Sequence, residues 1–193
     1  MGKDIVIMNS MENSSGYNAA ESLNETIEIL GPDEWQEYKA IRLKAFKTDP
    51  TSFGESHERE EKKSENELRA LLSDSNYKTY VAKIGDRVGA MVSYNLFAPQ
   101  HVEHTAMISS VFTDPEFRRK GLGERLMKRV LSDLHNNQKT SRVRLSVGTE
   151  HVPAREMYKK LGFTEYGVAK REMKVGGKYY DQVHMELFFE DML

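Results

Sequence analysis

The spacing of hydrophobic positions changes several times along the chain, and each change marks an element. Residues 9–24 (NSMENSSGYNAAESLN) are polar, rich in Ser and Asn and without period. The stretch 1–24 therefore reads as a flexible N-terminal extension with no face to bury. A short strand, TIEIL, starts after Glu25. Pro32 stands where a first helical residue belongs, and Trp35, Tyr38, Arg42, Ala45 and Phe46 fall near one helical face. That helix should stop before Asp49-Pro50, because the residue preceding a proline is pushed out of the α region. A loop with Phe53-Gly54 leads into a charged segment, Glu55 to Glu67, and a second helix ending near Leu72.

From Tyr77 the pattern is that of strands. Thr79–Ile84 and Val88–Leu96 flank a Gly-Asp-Arg turn, a hairpin signal. Glu103–Thr113 is the next strand. Leu122, Leu126, Val130 and Leu134 then recur at helical spacing, and Arg142–Val147 alternates as a strand. Pro153, Ala154, Met157, Tyr158 and Leu161 mark an amphipathic helix ended by Gly162. Two last strands, Phe163–Ala169 and Gln182–Phe189, are joined by a turn-rich GGKYYD segment. The order β-α-α-β-β-β-α-β-α-β-β predicts an α+β (mixed α/β) fold, a sheet with helices packed on it, formed by 25–193 as a single domain.

Composition narrows the function. The 193 residues are 38% hydrophobic and 30% charged, with a net charge of -2 and a pI near 6.3. That balance argues against a nucleic-acid binder, which carries a basic surplus over the whole domain. No apolar run approaches bilayer length, so no membrane partner is expected. There is no cysteine, which excludes disulfides and thiolate metal sites and suits a cytoplasmic protein.

The charge is unevenly spread. Arg118 to Gly123 reads RRKGLG, after an apolar strand and a Thr-Asp-Pro turn, and it opens a helix. First-turn N–H groups have no intrahelical partner, and the helix dipole favours an anion there. Gly121 and Gly123 remove Cβ atoms that would hold a diphosphate away from the backbone. Arg118, Arg119, Lys120, Arg125, Lys128 and Arg129 oppose only Glu124 nearby, which predicts a positive local field. Taken alone, the loop also fits a solvated basic helix start.

Two motifs in order resolve this. Arg118, Gly121 and Gly123 in VFTDPEFRRKGLGERLM match R/Q-x-x-G-x-G/A, and Ala154, Tyr158, Gly162 and Phe163 in HVPAREMYKKLGFTEYG match N-x-x-A-x-x-x-Y-x-x-x-G-F. With the element order, they make residues from about 25 to 189 similar to the GNAT superfamily of N-acetyltransferases. The resemblance implies a central, mostly antiparallel twisted sheet of about seven strands flanked by helices, with acetyl-CoA as co-substrate and no metal. It implies that the backbone of Val111, Phe112 and Thr113 pairs with the pantetheine arm. N–H groups of Arg119, Lys120, Gly121, Leu122 and Gly123 would hold the diphosphate, with Glu124 beside them. Arg118, Arg119 and Lys120 either meet nucleotide phosphates or face solvent. His151 stands where the family often has Asn and would share in cofactor binding with Ala154 and Tyr158.

The resemblance makes Tyr158 the catalytic acid: an amine attacking a thioester expels a thiolate, which a phenol can protonate. Its place on an apolar helical face fits core packing as well. Glu103, His104, Ser109 and Glu150 lie on or beside central strands as candidates for the base, and none is singled out. With no cysteine, an acetyl-cysteine route is closed, which favours direct attack in a ternary complex. The acceptor, a small-molecule or peptide amine, should lie among the first two helices, the Phe53 loop and the final hairpin. Trp35, Phe53, Tyr179 and Tyr180 are candidate pocket aromatics. The acidic stretch from Glu55 to Glu67 reads as a solvated face before it reads as an amine-attracting rim. The final strand, taken as exposed, offers an edge for a homodimer. A CoA-binding sensor or interaction module with little catalysis is the alternative. A nucleotide-binding protein of another fold is disfavoured, since no Lys-Ser/Thr pair follows the glycines.

Overall fold

A computed structural model describes residues 25–137 and 139–192; the expected extension at 1–24 lies outside them. One seven-stranded sheet runs in the order β1-β2-β3-β4-β5-β7-β6. Its strands are β1 (Glu25–Ile29), β2 (Tyr77–Ile84), β3 (Arg87–Leu96), β4 (Thr105–Thr113), β5 (Arg142–Gly148), β6 (Thr164–Val175) and β7 (Lys178–Phe188). Every neighbouring pair is antiparallel except β4 with β5. The helices are α1 (Trp35–Thr48), α2 (His57–Lys62), α3 (Glu65–Ser73), α4 (Leu122–Asn136) and α5 (Val152–Lys160). The mixed α+β architecture is the expected one. Among the described residues no helix is long and apolar enough to cross a membrane.

Helices cover both faces of the sheet. In α4 the expected stripe Leu122, Leu126, Val130 and Leu134 is buried together with Met127 and Leu131, against Ala82, Ala90, Ala106 and Val143. Tyr158, Leu161 and Phe163 extend that core under β5 and β7. On the other face Tyr38, Ile41, Ala45 and Phe46 of α1 join Leu68 and Leu72 of α3 over Val81, Met91 and Phe112. With both sides occupied, the middle strands read as apolar runs rather than alternations.

The charged segment after Phe53 holds two helices where one was expected. Ser56 accepts from the Arg59 N–H and starts α2, and Ser64 and Glu67 form a capping box at α3. The final hairpin is longer than the apolar pattern implied. Its turn is confined to Gly176 and Gly177, at φ 56° and 83°, a pair of left-handed positions that suits glycine. Tyr179 to Asp181 lie within β7. The hairpin tip has no core beneath it, so no hydrophobic alternation marked those residues as strand. The expected dimer edge is also corrected: β7, the final strand, is paired on both sides by β5 and β6. The edge left open at that end of the sheet is β6.

Candidate functional site

The parallel pairing of β4 and β5 is short. Thr105–Met107 pair with Arg142–Arg144, while β4 runs on to Thr113 and β5 to Gly148. Beyond that point the two strands part, and the fork opens into a cleft of about 1770 Å³. On the antiparallel side, Met91 faces Phe112 but Ser93 faces Ser109, so β4 carries a bulge at Ser110 and Val111, with Ser110 at φ 55°. Bulges bend a strand and end regular pairing, which leaves backbone groups open to a ligand.

The bulge is tied from below by a buried network that the sequence did not announce. Arg42 on α1 donates to the Ser110 hydroxyl. Its guanidinium also donates to Glu60 on α2 from Nε (3.1 Å) and Nη2 (3.2 Å) and lies 4.5 Å over the Phe46 ring. Glu60 is fully buried and accepts from Lys63 Nζ at 2.7 Å. Burial pushes its carboxyl up, but the hydrogen bonds and charges of Arg42 and Lys63 hold it below the ordinary value on balance. The acidic stretch is thus only partly a solvated face. Glu60 turns inward, Glu67 caps a helix and Glu65 pairs with Arg69.

The glycine loop crosses one end of the cleft. Arg119 at φ 61° and Gly121 at φ 75° turn the chain sharply into α4, whose first residues Leu122, Gly123 and Glu124 line the cleft. Gly123 also serves a packing purpose that the sequence did not show: a Cβ there would come 2.6 Å from Thr113 Oγ1. It lets α4 approach β4. Gly89, which the sequence reading missed, does the same on β3, where a Cβ would meet Leu122 Cδ2 at 2.7 Å and the Phe117 ring at 2.9 Å.

The expected positive field is smaller in the fold than along the chain. Arg125 pairs with Glu25 (2.6 Å), Arg118 with Asp49 (2.5 Å), Lys128 with Glu124 (2.8 Å) and Arg129 with Asp133 (3.0 Å). Glu25 and Asp49 come from 100 and 69 residues away, beyond the reach of local charge counting. Arg118 also donates to the Thr113 carbonyl at 2.9 Å. Arg119 is exposed and lines the cleft. Lys120 lies outside it, with its ammonium 5.8 Å over Phe117 and its carbonyl accepting from Arg125.

The other expected residues gather as follows. Val111, Thr113, Gly121, Gly123 and Glu124 line the cleft, as do His151 and Ala154. Phe112 and Leu122 line it too, with side chains that belong to opposite cores. His151 Nε2 lies 3.0 Å from Ser52 Oγ and 3.4 Å from Thr51 Oγ1, bridging the start of α5 to the turn after α1. Tyr158 lines the cleft from α5, 4% exposed, with its ring edge-on to Phe163 at 5.9 Å. Burial alone pushes its phenol well above the ordinary tyrosine value.

Of the base candidates, Ser109 faces the cleft, whereas Glu103, His104 and Glu150 are exposed and stand outside it. Phe53 lines the cleft; Trp35 packs against the α1 core, and Tyr179 is exposed on the hairpin. Among the described residues no cluster of His, Asp and Glu has the makings of a metal site.

Comparison with known proteins agrees with this fold. Residues 35–163 match the model of the acetyltransferase (GNAT) family. An uncharacterized N-acetyltransferase of Methanocaldococcus jannaschii is 24% identical over 147 residues, 75% of this chain and 63% of that protein. The chain thus spans less than two thirds of that relative's length. An acetyltransferase of the GNAT family from Streptococcus pneumoniae superposes with a TM-score of 0.76 at 19% identity, covering 85% of this chain and 98% of the other. Spermidine N-acetyltransferase from Vibrio cholerae, solved with CoA and spermine, gives 0.71 at 20% identity, covering 87% and 97%. At these identities the structures share the fold.

Proposed function

The chain belongs to the GNAT acetyltransferase family, and from that premise we propose that it transfers an acetyl group from acetyl-CoA to a primary amine by direct attack in a ternary complex. The observation that carries this reading is the fork between β4 and β5, with Tyr158 on one wall and the glycine loop at its end. The bulged stretch Ser110–Thr113 presents strand-like backbone to an extended ligand, so Val111 and Thr113 would pair with the pantetheine arm as an added strand does. N–H groups from Arg119 to Gly123, at the start of α4, would receive the diphosphate.

The cleft asks three things of its own residues. Backbone donors near the bulge polarise the thioester carbonyl as charge develops on it. The walls hold the amine and the thioester together, which converts a bimolecular step into a unimolecular one. Tyr158 keeps its proton until a thiolate forms beside it, and its raised pKa means that it stays protonated through neutral pH. The chain has no cysteine to carry an acyl group, so the amine itself attacks.

The acceptor is a small-molecule or peptide amine, and polyamines head the panel because a structural neighbour acts on spermidine. The experiment is thiol release from acetyl-CoA with spermidine, free amino acids and an N-terminal alanine peptide. Tyr158→Phe should lower kcat about a hundredfold or more while the KM for acetyl-CoA stays within about twofold. Tight acetyl-CoA binding without turnover on any amine would replace this reading with a binding module.

A further inference from the structure

A polar chain of side chains reaches the fork from the side opposite Tyr158. We propose that Ser146, His184 and Glu172 form a proton relay that deprotonates the acceptor amine; this rests on the acetyl-transfer reading above.

Placement is the first argument. Met107 and Arg144 are the last paired residues of β4 and β5. Two residues further along each strand, alternation carries Ser109 and Ser146 onto the same face at the mouth of the fork. Both line the cleft. Leu145 and Val147 turn into the core that holds Tyr158, so Ser146 points to the other side of the sheet. An amine arriving there faces the thioester across from the acid.

Connection is the second. Ser146 Oγ lies 2.8 Å from His184 Nδ1, directly across the β5–β7 register. His184 Nε2 lies 3.2 Å from Glu172 Oε2, and Glu172 also lines the cleft. The Tyr166 ring stacks on the imidazole at 5.8 Å, and its hydroxyl accepts from Arg144 Nε at 2.9 Å. Tyr166 therefore covers one face of the imidazole, while Ser146 and Glu172 engage its two nitrogens.

The backbone supplies the third. Ala169 pairs with Gln182 and Met173 with Tyr180, so Lys170, Arg171 and Glu172 stand against the single residue Asp181. Asp181 holds this bulge through the Arg171 N–H (2.8 Å) and Lys170 Nζ (2.9 Å), with Arg171 at φ 55°. A bulge re-aims a side chain, and here it delivers Glu172 to His184. The charged and titratable groups around the imidazole are Glu172 and Tyr166 from β6, Arg144 and Arg142 from β5, and Glu186 of β7, which Arg142 engages.

The step balances. The substrate ammonium gives a proton to Ser146 Oγ as the Ser146 hydroxyl passes its own to His184 Nδ1. The imidazolium keeps its Nε2–H on the Glu172 carboxylate. The freed nitrogen lone pair forms the C–N bond, the C–S bond breaks, and the sulfur takes the Tyr158 proton. The acylated nitrogen, now cationic, releases its second proton, which restores the Tyr158 phenol by way of solvent in the open cleft, and His184 returns its own to bulk solvent. A cross-strand polar cluster with no such role would hold the same contacts, so the test turns on protons.

With spermidine or any other amine of the panel that the wild type turns over, His184→Gln should lower kcat/KM for the amine about a hundredfold at neutral pH. The acetyl-CoA thermal shift should be unchanged. The loss should shrink to a few-fold as the pH nears the amine's own pKa, about 10 for an alkyl amine, because a neutral amine needs no base. Ser146→Ala, which leaves the imidazole in place, should show the same pH-dependent rescue. Imidazole nitrogen-15 spectra of the free protein should show His184 protonated on Nε2 alone. A loss that is uniform across pH, no loss in either variant, or a proton on Nδ1 of the neutral ring overturns the relay while leaving acetyl transfer intact. A wild type that turns over no amine overturns both.

Discussion

Glu60→Ala tests how the cleft floor is held. Glu60 is fully buried, and its oxygens accept from Arg42 Nε at 3.1 Å, Arg42 Nη2 at 3.2 Å and Lys63 Nζ at 2.7 Å. Truncation removes three charge-assisted hydrogen bonds and strands the Arg42 guanidinium, itself 9% exposed. Breaking one side of a buried pair costs about 3–5 kcal/mol, because an uncompensated charge is left in low dielectric. For a domain of this size, where 1 kcal/mol moves Tm by about 2–4 °C, that is a fall on the order of 6–20 °C. Thermal melts followed by circular dichroism, with urea titrations at constant m, measure it. Pairing Arg42→Met with Glu60→Leu should recover most of the loss, since packed apolar groups of similar size replace such a pair at little cost. The pair also has a pH signature. The Glu60 pKa is lowered in the fold, so its contribution is present above the ordinary glutamate value of 4.5 and is lost as pH falls through the lower folded value. The acid limb of the stability profile should flatten in Glu60→Ala. A Tm within about 2 °C of wild type would show that Arg42 reaches water or another partner, and the network would then be no support for the bulge.

Gly123→Ala should destabilise the protein by about 1–3 kcal/mol through overpacking, because the new Cβ falls 2.6 Å from Thr113 Oγ1. Adding Thr113→Ala should restore much of the melting temperature, and a melt unchanged by Gly123→Ala alone would refute the close approach. Gly177→Ala, at φ 83° in the final hairpin turn, should cost about 1–2 kcal/mol in chemical denaturation. Acetyl-CoA protection should be unaltered, since the turn lies away from the cleft; equal stability would mean that the turn is of another type.

Particular residues show what local pattern conveys. The Leu122, Leu126, Val130 and Leu134 stripe, the Gly162 stop and the helix break before Asp49-Pro50 all sit where spacing and turn chemistry put them. The capping box at Ser64 and Glu67 emerged only with the structure, and the apolar pattern of the charged segment was too weak to reveal α2. The hairpin tip was opaque because it buries nothing. Arg42 and Glu60 were opaque for the opposite reason: they carry the residue types of a surface and find each other only in the interior.

The sequence by itself determined the element order, the two motifs and hence the family, because helix starts, turns and amphipathic faces are set by neighbours a few residues apart. Only the tertiary structure decided that Gly123 admits the close approach of β4, and that Asp49 and Glu25 quench Arg118 of the loop and Arg125 of α4. It alone brought Ser146, His184 and Glu172 from three strands to one side of the fork. Those facts depend on register and on how far β4 and β5 run before they part, and strand pairing joins residues that local spacing cannot connect.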